Sequence, residues 1–164
     1  MRKLLFVIAG AGLLVAVIAP TVTGDSDNTF EASLNGFAET PTLSVDGRGS
    51  FTATIRTDRI TYTLSYRNLT GPAGAAHIHL GRAAIAGGVS AFLCGGGTKP
   101  ACPGAAGTVS GTIVPTDVIG PTGQGITAGQ FSELVRAIRN HATYANVHTA
   151  AWPGGEIRGQ LERD

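Results

Sequence analysis

The chain has 164 residues, 24 of them glycine, and a formal charge of +1. That length gives a single domain a real hydrophobic core and excludes a TIM barrel or a dinucleotide-binding enzyme with its own substrate domain. Apart from Arg2 and Lys3, 10 basic residues face 11 acidic ones, a near-neutral balance that argues against nucleic acid as a partner.

Residues 1–24 read as a leader. Arg2-Lys3 forms a basic start, and Leu4 to Ala19 is an unbroken run of apolar or glycine positions. Pro20 ends that run, and the small residues up to Gly24 suit cleavage before Asp25. The alternative is an uncleaved N-terminal anchor, since Leu4 to Val22 approaches the length of a membrane span. Both readings put residues 25–164 outside the cytoplasm, and any membrane contact runs through an uncleaved leader.

Strand signals follow. Phe30, Ala32 and Leu34 alternate with Glu31 and Ser33. Phe51, Ala53 and Ile55 alternate with Thr52, Thr54 and Arg56, and Ile60, Tyr62, Leu64 and Tyr66 alternate with Thr61, Thr63, Ser65 and Arg67. A period of two over such runs predicts half-buried strands, and the Asp58-Arg59 connection joins the last two as a hairpin. Ala76–Leu80, Gly87–Leu93 and Thr108–Val114 predict further strands. From Gln130 to Asn140 the period changes: Phe131, Leu134, Val135 and Ile138 recur at helical spacing. Tyr144–Thr149 and Glu156–Leu161 are the last predicted strands. About eight short strands and one short helix predict an all-β fold, an antiparallel Greek-key or immunoglobulin-like β-sandwich.

Cys94 and Cys102 are the only cysteines and flank a glycine-rich loop. In an exported chain they predict a local disulfide, the rival reading being a thiolate metal pair, which the lack of a histidine in the loop disfavours. The glycines Gly95-Gly96-Gly97 lack the Gly-Lys-Ser/Thr ending of a phosphate loop.

Three of the four histidines fall in predicted strands. His77 and His79 are two apart and so share a face, opposite Ile78 and Leu80. In the late strand Val147 faces the core and His148 faces away. If these strands are neighbours, His77, His79 and His148 converge as a copper or zinc set, with Glu156 as a ligand or as the acceptor that orients an imidazole. Such a site would serve binding, redox or hydrolytic chemistry. The competing readings are a structural polar cluster and a binding surface without metal. No catalytic residue is assigned. His141, at the helix exit, reads as a cap or surface residue.

The block Tyr144-Ala-Asn-Val-His148-Thr-Ala-Ala-Trp-Pro153-Gly-Gly-Glu156-Ile-Arg158-Gly-Gln160-Leu161, with Ala76-His77-Ile78-His79 and Phe30-x-Ala32-x-Leu34-x-Gly36-x-x-Glu39-x-Pro41, resembles the CHRD domain. That domain is named from chordin and is widespread in exported bacterial proteins. The resemblance runs from about Phe30 to Leu161. It implies an extracellular all-β domain in residues 25–164, secreted or held in the cell envelope. It further implies a binding or structural module whose partner is an unidentified envelope protein or surface ligand. The His-x-His element is also loosely similar to the copper element of copper/zinc superoxide dismutase, but four histidines do not fill that enzyme's two-metal set.

Overall fold

The computed structural model describes residues 28–164, so the expected leader lies outside the described residues. The described residues form nine strands: β1 (Thr29–Asn35), β2 (Arg48–Ile55), β3 (Ile60–Arg67), β4 (Ala73–Leu80), β5 (Gly88–Cys94), β6 (Gly107–Ile113), β7 (Thr143–Thr149), β8 (Ile157–Gln160) and β9 (Glu162–Arg163). A nine-residue helix, α1 (Phe131–Arg139), precedes β7. Among the described residues no helix is long and apolar enough to cross a membrane.

The strands pair antiparallel in the order β5-β4-β7-β8-β1-β2-β3-β6, with β9 added to β1. The all-β antiparallel class with one short helix therefore holds. The two packed sheets of the expected Greek-key or immunoglobulin-like sandwich are replaced by one continuous sheet that curls almost into a closed barrel. Local alternation defines which face of a strand is apolar. It does not define which strands are neighbours, and strand twist accumulated over eight neighbours brings the two end strands back together.

Several contacts close that seam. Tyr62 on β3 faces inward, and its hydroxyl donates to the Leu93 carbonyl of β5 at 2.7 Å. It reaches β5 by passing over Gly111 of β6, its register partner, where a Cβ would sit 2.5 Å from the hydroxyl oxygen. Cys94, the last residue of β5, is disulfide-bonded to Cys102, with Cα atoms 5.0 Å apart. Within the cysteine loop, Lys99 Nζ donates to the Thr112 carbonyl of β6 at 2.6 Å and pairs with Asp117 at 2.7 Å. Beyond β6, the Ile119 amide donates to the Ser90 carbonyl of β5 at 2.9 Å.

Phe30, Leu34, Phe51, Ile60, Leu64, Ile78, Leu93, Ile113 and Ile157 fill the interior. Each contributes about 1.5–3 kcal/mol by leaving water. Phe131, Leu134 and Ile138 of α1 join the same core. The strand pattern positions everything that follows. Inward positions are mostly apolar, Thr143 and Thr149 of β7 being buried exceptions, whereas outward positions are exposed or half-buried on β1, β2, β3 and β6 and largely covered on β4, β7 and β8.

Candidate metal centre

β4 lies between β5 and β7. Ile78 and Ala76 face the core, so His77 and His79 face outward. The register places Phe92 and Asn146 on either side of His77, Tyr144 beside His79, and His148 opposite Ala75, diagonal to His77. Diagonal neighbours on one sheet face are within reach of long or aromatic side chains. The strand adjacency that the sequence left open thus brings His77, His79 and His148 together, one donor nitrogen from each lying within 4.8 Å of the others.

The protons on two of these rings are fixed by carbonyl groups. The Nδ1–H of His79 donates to the Gly87 carbonyl at 3.0 Å, and the Nδ1–H of His148 donates to the Pro153 carbonyl at 3.1 Å. A carbonyl only accepts, so both neutral rings keep a lone pair on Nε2. His148 Nε2 spends its lone pair on His77 Nδ1 at 3.0 Å, which makes His77 the donor of that bond. His79 Nε2 is buried and among the described residues has no hydrogen-bond partner. A buried acceptor left unmatched costs about 1–3 kcal/mol.

Burial holds all three imidazoles in the neutral, metal-binding form. Desolvation drives His77 down to about 3 and His79 down to about 4, with the neighbouring imidazoles adding to the shift. His148 is lowered for the same first reason.

Ring contacts lock the orientations. His77 meets Phe92 edge-on with centroids 4.5 Å apart. His79 stacks on Tyr144 at 4.8 Å and 6°. The Arg158 guanidinium lies 3.4 Å from the centre of the Tyr144 ring and donates to the Arg82 carbonyl at 2.8 Å. Gln160 holds the Gly81 carbonyl at 3.1 Å, and the Tyr144 hydroxyl accepts from the Gly87 amide at 3.0 Å. The segment from Gly81 to Gly87 is therefore clasped over the outward face, which is what takes the histidines out of water.

Glu156 is not brought into this cluster. Its carboxylate is fully buried; Oε1 accepts from the Thr70 amide at 2.6 Å and from its hydroxyl at 2.9 Å, and Oε2 accepts from Thr149 at 2.7 Å. Those bonds hold the loop before β4 to the β7–β8 turn. His141 also stays apart. It follows α1 with φ 53°, and its Nδ1 lies 2.7 Å from Glu162 Oε2.

Sequence reasoning missed the role of Glu39. It is buried beside Asn146, whose side-chain amide donates to Glu39 Oε1 at 2.6 Å and to the Ile157 carbonyl at 2.8 Å. Burial raises the Glu39 carboxyl above its ordinary value, opposed by the Asn146 bond. Glu39 and Asn146 were legible as members of the family-like blocks, but nothing local shows that they meet. Gly155 completes the same corner: at φ 127°, a Cβ there would lie 2.6 Å from the Asn146 amide atoms and 2.7 Å from Glu39.

A family model for the CHRD domain matches residues 30–161. The chain belongs to the CHRD domain family. Comparison with curated proteins and with solved structures found no match. The three histidines, Asn146, Glu156 and Arg158 all lie within the matched CHRD residues.

Proposed function

We propose that this CHRD domain is an extracytoplasmic module that binds copper or zinc through His77, His79 and His148. The typical extracellular setting of the family and the Cys94–Cys102 disulfide support the compartment, and the basic-then-apolar stretch at residues 1–24 supports export. The observation that carries the metal reading is His79 Nε2: a buried lone pair without a partner, on a ring whose other nitrogen is tied to a carbonyl. A carbonyl behind each of two imidazoles is the arrangement that orients histidine ligands in metal proteins. Three imidazoles without thiolate or carboxylate suit a borderline ion such as Cu²⁺ or Zn²⁺. Nitrogen ligands about 2.0–2.1 Å from an ion stand closer together than 4.8 Å, so binding would draw the set inward.

Metal analysis of the full chain, purified without a polyhistidine tag, tests this reading together with titration by Zn²⁺ and Cu²⁺. One ion per chain is expected, with binding lost in His79→Gln. Failure to bind stoichiometrically, or undiminished binding in His79→Gln, would overturn it. The His77–His148 hydrogen bond favours a second reading, in which the rings are a structural cluster anchoring the segments at Gly87 and Pro153. The module would then bind its partner without metal.

A further inference from the structure

A groove of about 840 Å³ lies away from the histidines on the outward face of β1, β2, β3 and β6. Two rows of side chains form its floor. In one, Ser33, Ser50, Ser65 and Thr108 are successive register partners across the four strands. In the next, Asn35 pairs with Arg48 and Arg48 with Arg67. The three steps between four strands make a floor about 14 Å across. Phe37, 60% exposed, stands at the rim.

The Arg48–Arg67 pair is unusual. Like charges directly opposite one another on a sheet are unfavourable. Arg48 is pinned to the Val45 and Gly47 carbonyls at 3.0 and 2.7 Å, and Arg67 has no hydrogen bond or ion pair among the described residues. None of the residues lining the groove carries a carboxylate. Asp46 lines the adjoining depression on the other side of Arg48. Two guanidiniums, one of them unengaged, therefore face a groove that lacks a counter-charge.

We infer that this groove binds a segment of acidic polysaccharide. Guanidinium is the side-chain group best matched to a carboxylate or sulfate, which it holds by two parallel hydrogen bonds. The hydroxyl row offers donors and acceptors along a chain of sugar hydroxyls, and the exposed Phe37 ring offers an apolar plate for the C–H face of a sugar ring. An acidic protein segment would also meet the arginines. The groove floor, however, is built of serine, threonine and asparagine; of its apolar lining residues, Leu34 and Tyr66 are buried in the core and Phe37 stands at the rim, an arrangement unlike the apolar pockets that seat peptide side chains. The inference is independent of the metal site.

The test is calorimetric titration of the full chain with an oligogalacturonate, a neutral maltohexaose and a polyglutamate peptide of matched charge. Binding of the oligogalacturonate is expected, weakening with salt and falling about tenfold in Arg67→Ser. Phe37→Ser weakens it further, and His79→Gln leaves it unchanged. Arg67 and Phe37 are both exposed, so these variants keep the fold. No binding of the oligogalacturonate, or equal binding by Arg67→Ser, would overturn the inference. Equal affinity for maltohexaose would remove the role of charge, and equal affinity for polyglutamate would reassign the groove to acidic protein segments.

Discussion

On the outward face of β1, β2 and β3, Ser33, Ser50, Thr61 and Thr63 stand in solvent; on the outward face of β4 and β7, His77, His79, Tyr144 and Asn146 are buried. Both faces follow the same alternation, and both are polar. The first uses short hydroxyls that satisfy one another across strands, as in Thr63–Ser110 at 3.0 Å and Ser65–Thr108 at 2.8 Å. The second is roofed by loops, so each polar atom needs a specific partner, and two buried atoms of the covered β4, β7 and β8 face, His79 Nε2 and Gln160 Oε1, have none among the described residues. A polar outward position is inexpensive when wet and consequential when covered. Chemistry is expected where the cover is.

Acid should separate the two faces most. Unfolded histidine binds a proton below about 6.5, whereas folded His77 and His79 resist until about 3 and 4. Between those values the unfolded chain binds more protons, so stability falls as pH drops from about 6.5 towards 4. The slope is about 1.4 kcal/mol per pH unit for each ring and levels off at lower pH. Urea denaturation across pH should show this, and a His77→Gln/His79→Gln double variant should flatten it. An equal slope in that variant would mean that the covered face is not the acid-sensitive one.

Gly155→Ala comes next. It places a Cβ against Asn146 and Glu39 at a φ of 127°, and about 2–4 kcal/mol of stability should be lost in chemical denaturation. A loss below about 0.5 kcal/mol would show that the roof yields easily. Glu156→Gln should cost about 1–3 kcal/mol, because an amide cannot accept at both ends from Thr70 and Thr149. Metal affinity should not change, which separates a structural Glu156 from a ligand. The smallest effect belongs to the wet face: Thr63→Val should shift the denaturation midpoint by less than about 0.5 kcal/mol in equivalent stability.

The alternation of Ile60, Tyr62, Leu64 and Tyr66 made β3 readable residue by residue, and the 3.6-residue spacing of Phe131, Leu134 and Ile138 placed α1 within a residue at each end. The shared outward face of His77 and His79 was equally plain. The local pattern could not say that β4 adjoins β7, nor that the sheet curls round to bring β5 near β6, because those are long-range pairings. The partners that set the chemistry are backbone carbonyls of Gly87 and Pro153, which carry no residue-type signal. Glu156 was readable as an acidic group near His148 in sequence, but the turn preceding β8 sends it to Thr70 instead. The two-residue strand β9 is too short for any period to appear.

The seam between β5 and β6 has a consequence for other copies of the chain. A strand with unmatched amides and carbonyls is a template on which a foreign strand can grow. Here Tyr62 and Ile119 occupy carbonyls of that margin, and the Cys94–Cys102 loop keeps Lys99 fastened to β6. Before its two sulfurs join, that loop is tied to the sheet through Lys99 and its own backbone bonds, and one end of the margin is held less firmly. The disulfide therefore does more than cross-link a short loop: it helps hold in place the segment that covers one end of a sheet edge on which another strand could pair.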